Sequence, residues 1–109
     1  MDFEAYQRHS RTTARYPDAG ANPIYPTLGL CGEAGEVADK VKKVLRDQAG
    51  QFSQETIAAL QLELGDVLWY LAQLATELGL ELDQIAQTNL DKLASRAARN
   101  VISGSGDTR

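Results

Sequence analysis

Four carboxylates stand out by type and spacing. Glu33 and Glu36 lie three residues apart in the run Gly32-Glu33-Ala34-Gly35-Glu36, and Glu63 and Asp66 repeat the interval further along the chain. On a helix, residues three apart share a face, one turn from each other. Four such groups brought together repel unless a cation stands between them. An oxygen-only set suits a hard divalent ion, above all Mg2+ holding a phosphate ester, with Mn2+ as a substitute. The spacing therefore points to a metal-dependent site on an all-helical scaffold.

Two long helices must carry these acids. The first of them is expected from near Thr27, just after Pro26, to about Asp47. Leu30, Ala34, Val37, Val41 and Val44 form its apolar stripe. Gly29, Gly32 and Gly35 are odd inside it, since each costs about 1 kcal/mol relative to Ala. A closely packed neighbour or a ligand would offset that cost. Gln48 to Ser53 is a turn, with Ser53 a suitable N-cap for the next helix. That helix runs from about Gln54 to Leu78 and stops at Gly79. Its stripe is Ile57, Leu60, Leu64, Val67, Leu71, Leu74 and Leu78, with Leu62 and Trp69 on the opposite side. A helix apolar on two sides is buried between layers, and in a small domain one layer can be a second subunit.

The flanking segments are less regular. Phe3 to about Arg15 reads as a weakly apolar helix with Phe3, Tyr6 and Ala14 facing inward. Arg8, Arg11 and Arg15 make a basic edge, for which a solvated face is the simpler reading and a phosphate contact the sharper one. His9, the lone histidine, fits a surface or capping position better than a ligand. Tyr16 to Pro26 is a loop broken by Pro17, Gly20, Pro23 and Pro26, whose Tyr16 and Tyr25 either anchor it to the core or help cover a base. A last helix begins near Leu82 with Glu81 as a poor N-cap. Its core side includes Ile85, Ala86, Leu90, Leu93 and Ala97. Residues 100–109 end the chain irregularly, and disorder is the default for such a tail.

The two acid pairs are expected to meet. With the stripe residues at heptad positions a and d, Glu33 and Glu63 both fall at g, and Glu36 and Asp66 both at c. A short turn makes the two long helices antiparallel neighbours, so the g flank of one lies beside the g flank of the other. Glu36 and Glu63 stand about 16 Å and 14 Å from that turn at ~1.5 Å per residue. Lys40 at g and Lys43 at c share this flank, as does Tyr70 at g. Lys40 fits an i,i+4 pair with Glu36 as well as a phosphate contact. On the last helix, Asn89, Lys92 and Arg96 each precede a stripe residue and form one polar edge.

Composition narrows the function classes. At 109 residues the chain reads as one domain. Its net charge of −4 lacks the basic footprint of a protein that binds nucleic acid polymers, but does not oppose a nucleotide whose phosphates are met by metal. A single cysteine, Cys31, permits no intrachain disulfide and fits a cytoplasmic location. The acidic N-terminus reads as no signal peptide, and no apolar run approaches the ~20 residues of a membrane span.

The runs LGLCGEAGEVADKVKKVLRD and LELGDVLWYLAQLATELGLELDQIAQTNLDKLASR resemble the MazG family of all-α nucleoside triphosphate pyrophosphohydrolases. The resemblance extends from about Tyr6 to the C-terminus. It rests on E-x-x-E followed by E-x-x-D, here Glu33, Glu36, Glu63 and Asp66, all filled without substitution. The segment with Asn89, Lys92 and Arg96 is similar to the family's substrate-contacting stretch. The ending I-S-G-S-G-D-T-R looks like the close of short single-domain members, which raises the prospect of a tail folded over the site.

The resemblance implies a four-helix bundle assembled as a dimer or a dimer of dimers, and a Mg2+-dependent reaction of a nucleoside triphosphate with water to give the monophosphate and pyrophosphate. On that basis the four acids are the metal-binding and catalytic residues. Lys43, Lys92 and Arg96 are candidates to clamp the phosphates, Asn89 to position sugar or phosphate, and Tyr70 to line the nucleoside pocket. Three rivals are weighed against it. A phosphoribosyl-ATP pyrophosphohydrolase would use the same acids. A di-iron carboxylate bundle needs Glu-x-x-His pairs, and His9 is not so placed. A non-enzymatic helical dimerisation or regulatory module explains the stripes but neither the matched acids nor the in-helix glycines.

Overall fold

The computed structural model describes residues 1–109 and is all-α. Helix α1 (Phe3–Ser10) is followed by a 3-10 turn (Arg11–Thr13), then α2 (Ile24–Asp47), α3 (Gln54–Glu77) and α4 (Leu82–Ala98). No helix is long and apolar enough to cross a membrane. Helices α2 and α3 form an antiparallel hairpin, α1 packs on α3, and α4 meets the rest of the chain chiefly through α1.

The helix ends follow local chemistry. Ser53 Oγ accepts the Thr56 N–H and starts α3. At its far end Gly79 adopts a φ of 70°, and the Leu80 N–H reaches back to the Ala75 carbonyl, which closes the helix. Helix α2 begins at Ile24 rather than at Thr27. Pro26 falls in its first turn, where a missing N–H removes no helical bond, and Asn22 Oδ1 accepts the Tyr25 N–H. Helix α1 is shorter than expected and passes into the 3-10 turn before Arg15. Glu81 contributes no side-chain cap to α4. Gln7 of α1 does so instead, accepting the Leu82 N–H through Oε1 while its amide donates to the Leu80 carbonyl and to Thr76 Oγ1.

The core is small. Ala72, Ala75 and Leu82 are its buried centre, with Tyr6, Leu71 and Ile85 packed against it. Alanines on α3 let α1 come close, and the contact between these two helices is largely polar: Gln73, fully buried, donates to Ser10 Oγ and accepts from Arg11. That is how a helix with so few apolar residues docks. Phe3, expected inside, is exposed, whereas Tyr6 and Ala14 are half-buried.

Much apolar surface is left uncovered. Ile57, Leu62 and Leu64 of α3, Leu78 just past its end and Leu90 of α4 are each more than half exposed. The radius of gyration is 16.8 Å, against about 13 Å for a compact chain of this length.

Candidate functional site

The α2–α3 hairpin brings three of the four spaced acids together. One carboxylate oxygen from each of Glu33, Glu63 and Asp66 lies within 4.8 Å of the others. The g flanks face each other as the heptad argument requires: Lys40 Nζ of α2 stands 3.3 Å from Glu63 Oε1 of α3. Lys40 thus pairs across the hairpin with Glu63. Glu36, one turn from Glu33 on α2, is exposed and lies outside the close trio, although its charge is felt by Glu33. Burial, then the charges of Asp66, Glu63 and Glu36, push the Glu33 carboxyl above its ordinary value. Three acids this close, with Lys40 the one cation in ion-pair contact with them, fit a metal ion, and their donor set is oxygen only.

An aromatic wall adjoins the trio. Tyr70 lies against Gly29, where any Cβ would collide with its ring. This neighbour offsets the cost of that glycine. Burial, then Tyr25 and Glu33, push the Tyr70 phenol up and keep it neutral. Tyr25 stacks on Tyr16 with ring centroids 5.1 Å apart, and Trp69 meets both Tyr16 and Tyr70 edge-on. Trp69 also donates through Nε1 to Thr13 Oγ1. Tyr6 approaches from α1, its phenol raised by burial and then by the charge of Asp66.

The remaining sequence candidates lie apart from the trio or are already engaged. Lys43 is ion-paired with Asp39 at 2.8 Å on α2. Asn89 and Lys92 line a groove of about 600 Å3 with Gly79, Leu80, Gln84 and Thr88. Arg96 is buried under the C-terminal segment, donating to the main-chain oxygens of Gly106 and Asp107. Residues 100–109 are therefore laid back on α4. Arg109 holds the segment closed by donating to the carbonyls of Val101, Ile102 and Gly106.

Sequence reasoning passed over a second acid centre. Glu77 at the end of α3 accepts from Tyr16 Oη at 2.6 Å, from the Gly20 N–H at 2.8 Å and from the Asn22 N–H and Arg11 at 3.4 Å. Burial raises its carboxyl, but these donors outweigh burial and hold it at about 2. The loop between the 3-10 turn and α2 is wrapped on this one side chain, and Arg11 leaves the basic edge to join it. A signal was present: an acid in the last turn of a helix opposes the macrodipole, so it needs other donors to stay ionised and buried.

The comparisons with known proteins bear on the same residues. A family profile described as "MazG nucleotide pyrophosphohydrolase domain" matches residues 25–100, which include all four spaced acids. The chain is 52% identical to the "Gene 37 protein" of Mycobacterium phage L5 over 114 residues, covering the whole of both chains. No solved structure matches it. With the profile spanning most of the chain and the acid trio assembled on the hairpin that it covers, this all-helical protein belongs to the MazG nucleotide pyrophosphohydrolase family.

Proposed function

We propose that the protein hydrolyses nucleoside triphosphates, ribo or deoxy, to the monophosphate and pyrophosphate in a Mg2+-dependent reaction. The observation that carries this is the trio of Glu33, Glu63 and Asp66 within 4.8 Å, beside a wall of aromatic rings suited to a base. Glu36, exposed and one turn from Glu33, completes the set by turning inward. Glu33, Glu63, Asp66 and Glu36 would hold a divalent ion, which would supply Lewis acidity to the attacking water and to the leaving group. Water attacks the α-phosphorus, the bridging bond to the β-phosphate breaks, and pyrophosphate leaves. A carboxylate of the quartet takes the proton of the attacking water. Lys40 orients Glu63. Tyr70 and Tyr25 line the nucleoside pocket, and Asn89, Lys92 and Arg96 serve the phosphates.

The active form on this reading is an oligomer, a dimer or a dimer of dimers. Within one chain α4 meets α3 near its own start, where Leu82 and Ile85 pack by Ala72 and Ala75, and the exposed Ile57, Leu62, Leu64 and Leu90 need cover. Nucleotide pools are cytoplasmic, and the exposed thiol of Cys31 suits a reducing compartment.

The test is a panel of ribo- and deoxynucleoside triphosphates with and without Mg2+, with products identified. Pyrophosphate and monophosphate are the expected products. Orthophosphate from the γ position, or no hydrolysis of any triphosphate, would overturn the reading. Light scattering at micromolar concentration should give at least a dimer.

A further inference from the structure

The polar edge of α4 already holds an anion, and it belongs to the chain itself. One oxygen of Asp107, Oδ1, lies 3.4 Å from Lys92 Nζ and 3.5 Å from Arg96 Nη2. These are loose ion-pair contacts, longer than the ~2.7–2.9 Å of a charge-assisted hydrogen bond, so the pair has room to bind a phosphate oxygen more closely than it holds this carboxylate. The rest of the Asp107 side chain is solvent-exposed, whereas Arg96 is 95% buried, being 5% exposed, and its Nε has no partner. The arginine is thus a built-in cation, and the carboxylate facing it is free to turn.

We propose that Lys92 and Arg96 form an anion site in which the Asp107 carboxylate is an exchangeable occupant, displaced by the phosphate oxygens of a polyphosphate and returning when pyrophosphate leaves. This rests on the reading of the α4 edge as the phosphate-binding edge. Exchange requires only the side chain to swing out. The backbone of the tail stays in place, because Arg96 keeps the Asp107 carbonyl at 2.8 Å, Arg99 holds the Arg109 main-chain oxygen, and Arg109 holds three further carbonyls. An internal carboxylate also competes with any anion for the two cations. Asp107 therefore weakens every anion at this site by the same factor, set by how often its carboxylate is turned out, and so opposes retention of the pyrophosphate product.

The test is calorimetric titration of the full chain with inorganic pyrophosphate, in EDTA so that no metal bridges the acids to the ligand, at low ionic strength. Asp107→Asn keeps the shape and removes the charge, and it should tighten pyrophosphate binding about three- to ten-fold, as expected for freeing two partly exposed cations. Asp107→Glu, which restores the charge, should return affinity toward the original value. Lys92→Met in the Asp107→Asn background should abolish the gain. Unchanged or weaker binding in Asp107→Asn, or a gain that survives Lys92→Met, overturns the proposal. Because no hydrolysis is read, its failure is distinct from that of the activity. Active protein with unmoved pyrophosphate affinity sinks the exchangeable carboxylate alone. Inactive protein with the predicted gain sinks the hydrolase reading and leaves the anion site.

Discussion

Helix α3 carries two acid centres that solve opposite problems. Glu77 at its end is surrounded by donors: a phenol, two backbone N–H groups and a guanidinium converge on one carboxylate. Glu63 and Asp66, three to four turns earlier, face another acid from α2, and the one lysine in contact with them, Lys40, pairs with Glu63 alone. Donors hold Glu77 ionised down to about 2, whereas burial and like charges push Glu33 of the second centre up. A satisfied acid fixes structure. An unsatisfied cluster is held together by the helices behind it and has attraction to spare for a cation. The residue types are the same, and the count of donors separates the scaffold from the site.

The sharpest break of this contrast exchanges charge for shape at each centre. Glu33→Gln, Glu63→Gln, Asp66→Asn and Glu36→Gln should each lower triphosphate hydrolysis by about 10²–10³-fold or more, measured as pyrophosphate release. The metal-free Glu33→Gln, Glu36→Gln and Asp66→Asn proteins should melt no lower than the parent, because each change relieves repulsion, whereas Glu63→Gln also gives up the pair with Lys40. Full activity in any one removes that residue from the site. Glu77→Ala should do the reverse. Removing one partner of a buried charged network costs about 3–5 kcal/mol, read from urea melts at fixed protein concentration. Turnover per folded molecule should persist, with weaker substrate affinity as the loop carrying Tyr16 loosens and Tyr25 loses its stacking partner.

Acid sharpens the same comparison without mutation. Glu77 has a folded value well below its ordinary 4.5. Its contribution to stability is therefore complete above the unfolded value and is lost as pH falls from there toward about 2. Glu33 is shifted the other way, so protons compete with a metal at the trio from a higher pH. Titration downward should abolish Mg2+-dependent thermal stabilisation first and melt the loop later. Fluorescence of Trp69, which is tied to Thr13 and packed on Tyr16, reports the second step. Coincident midpoints would show that the two centres are not independent.

Local chemistry accounts for what could be read in advance. The stripes of α2 and α3, the Ser53 cap and the Gly79 stop depend on residues within a turn or two of each other, and heptad geometry brought Glu33 of α2 to Glu63 and Asp66 of α3 while leaving Glu36 outside. What escaped depends on partners far apart in sequence. Gln7 caps a helix that begins at Leu82, and Arg11 pairs with Glu77. Nothing near Glu81 reveals the first, and nothing near Arg11 separates a network arginine from a solvated one. The order of the tail was legible only through the resemblance of its ending to short family members, and not from its composition. Its Gly-Ser composition matches disorder, and its order comes from arginine side chains binding main-chain oxygens, a pattern with no periodicity to detect.

The smallest effect concerns the α2 glycines, and it separates packing inside the chain from packing against something else. A Cβ at Gly29 would strike the Tyr70 ring, while one at Gly32 or Gly35 meets nothing. Gly29→Ala should therefore displace Tyr70 and lower stability, despite the better helix propensity of alanine. At Gly32 and Gly35 only that propensity acts within the chain, so each alanine should raise stability by about 1 kcal/mol. The measurement is a urea melt of the metal-free and ligand-free protein for all three variants. If Gly32→Ala or Gly35→Ala instead destabilises, and does so more as protein concentration rises, the missing neighbour is a second copy of the chain. If stability rises as expected but KM for the triphosphate climbs, the bare backbone beside Glu33 and Glu36 is there for the substrate. The first result would make these glycines part of the scaffold with Gly29. The second would place them with the acids, as room left open on a helix that otherwise had every reason to carry alanine.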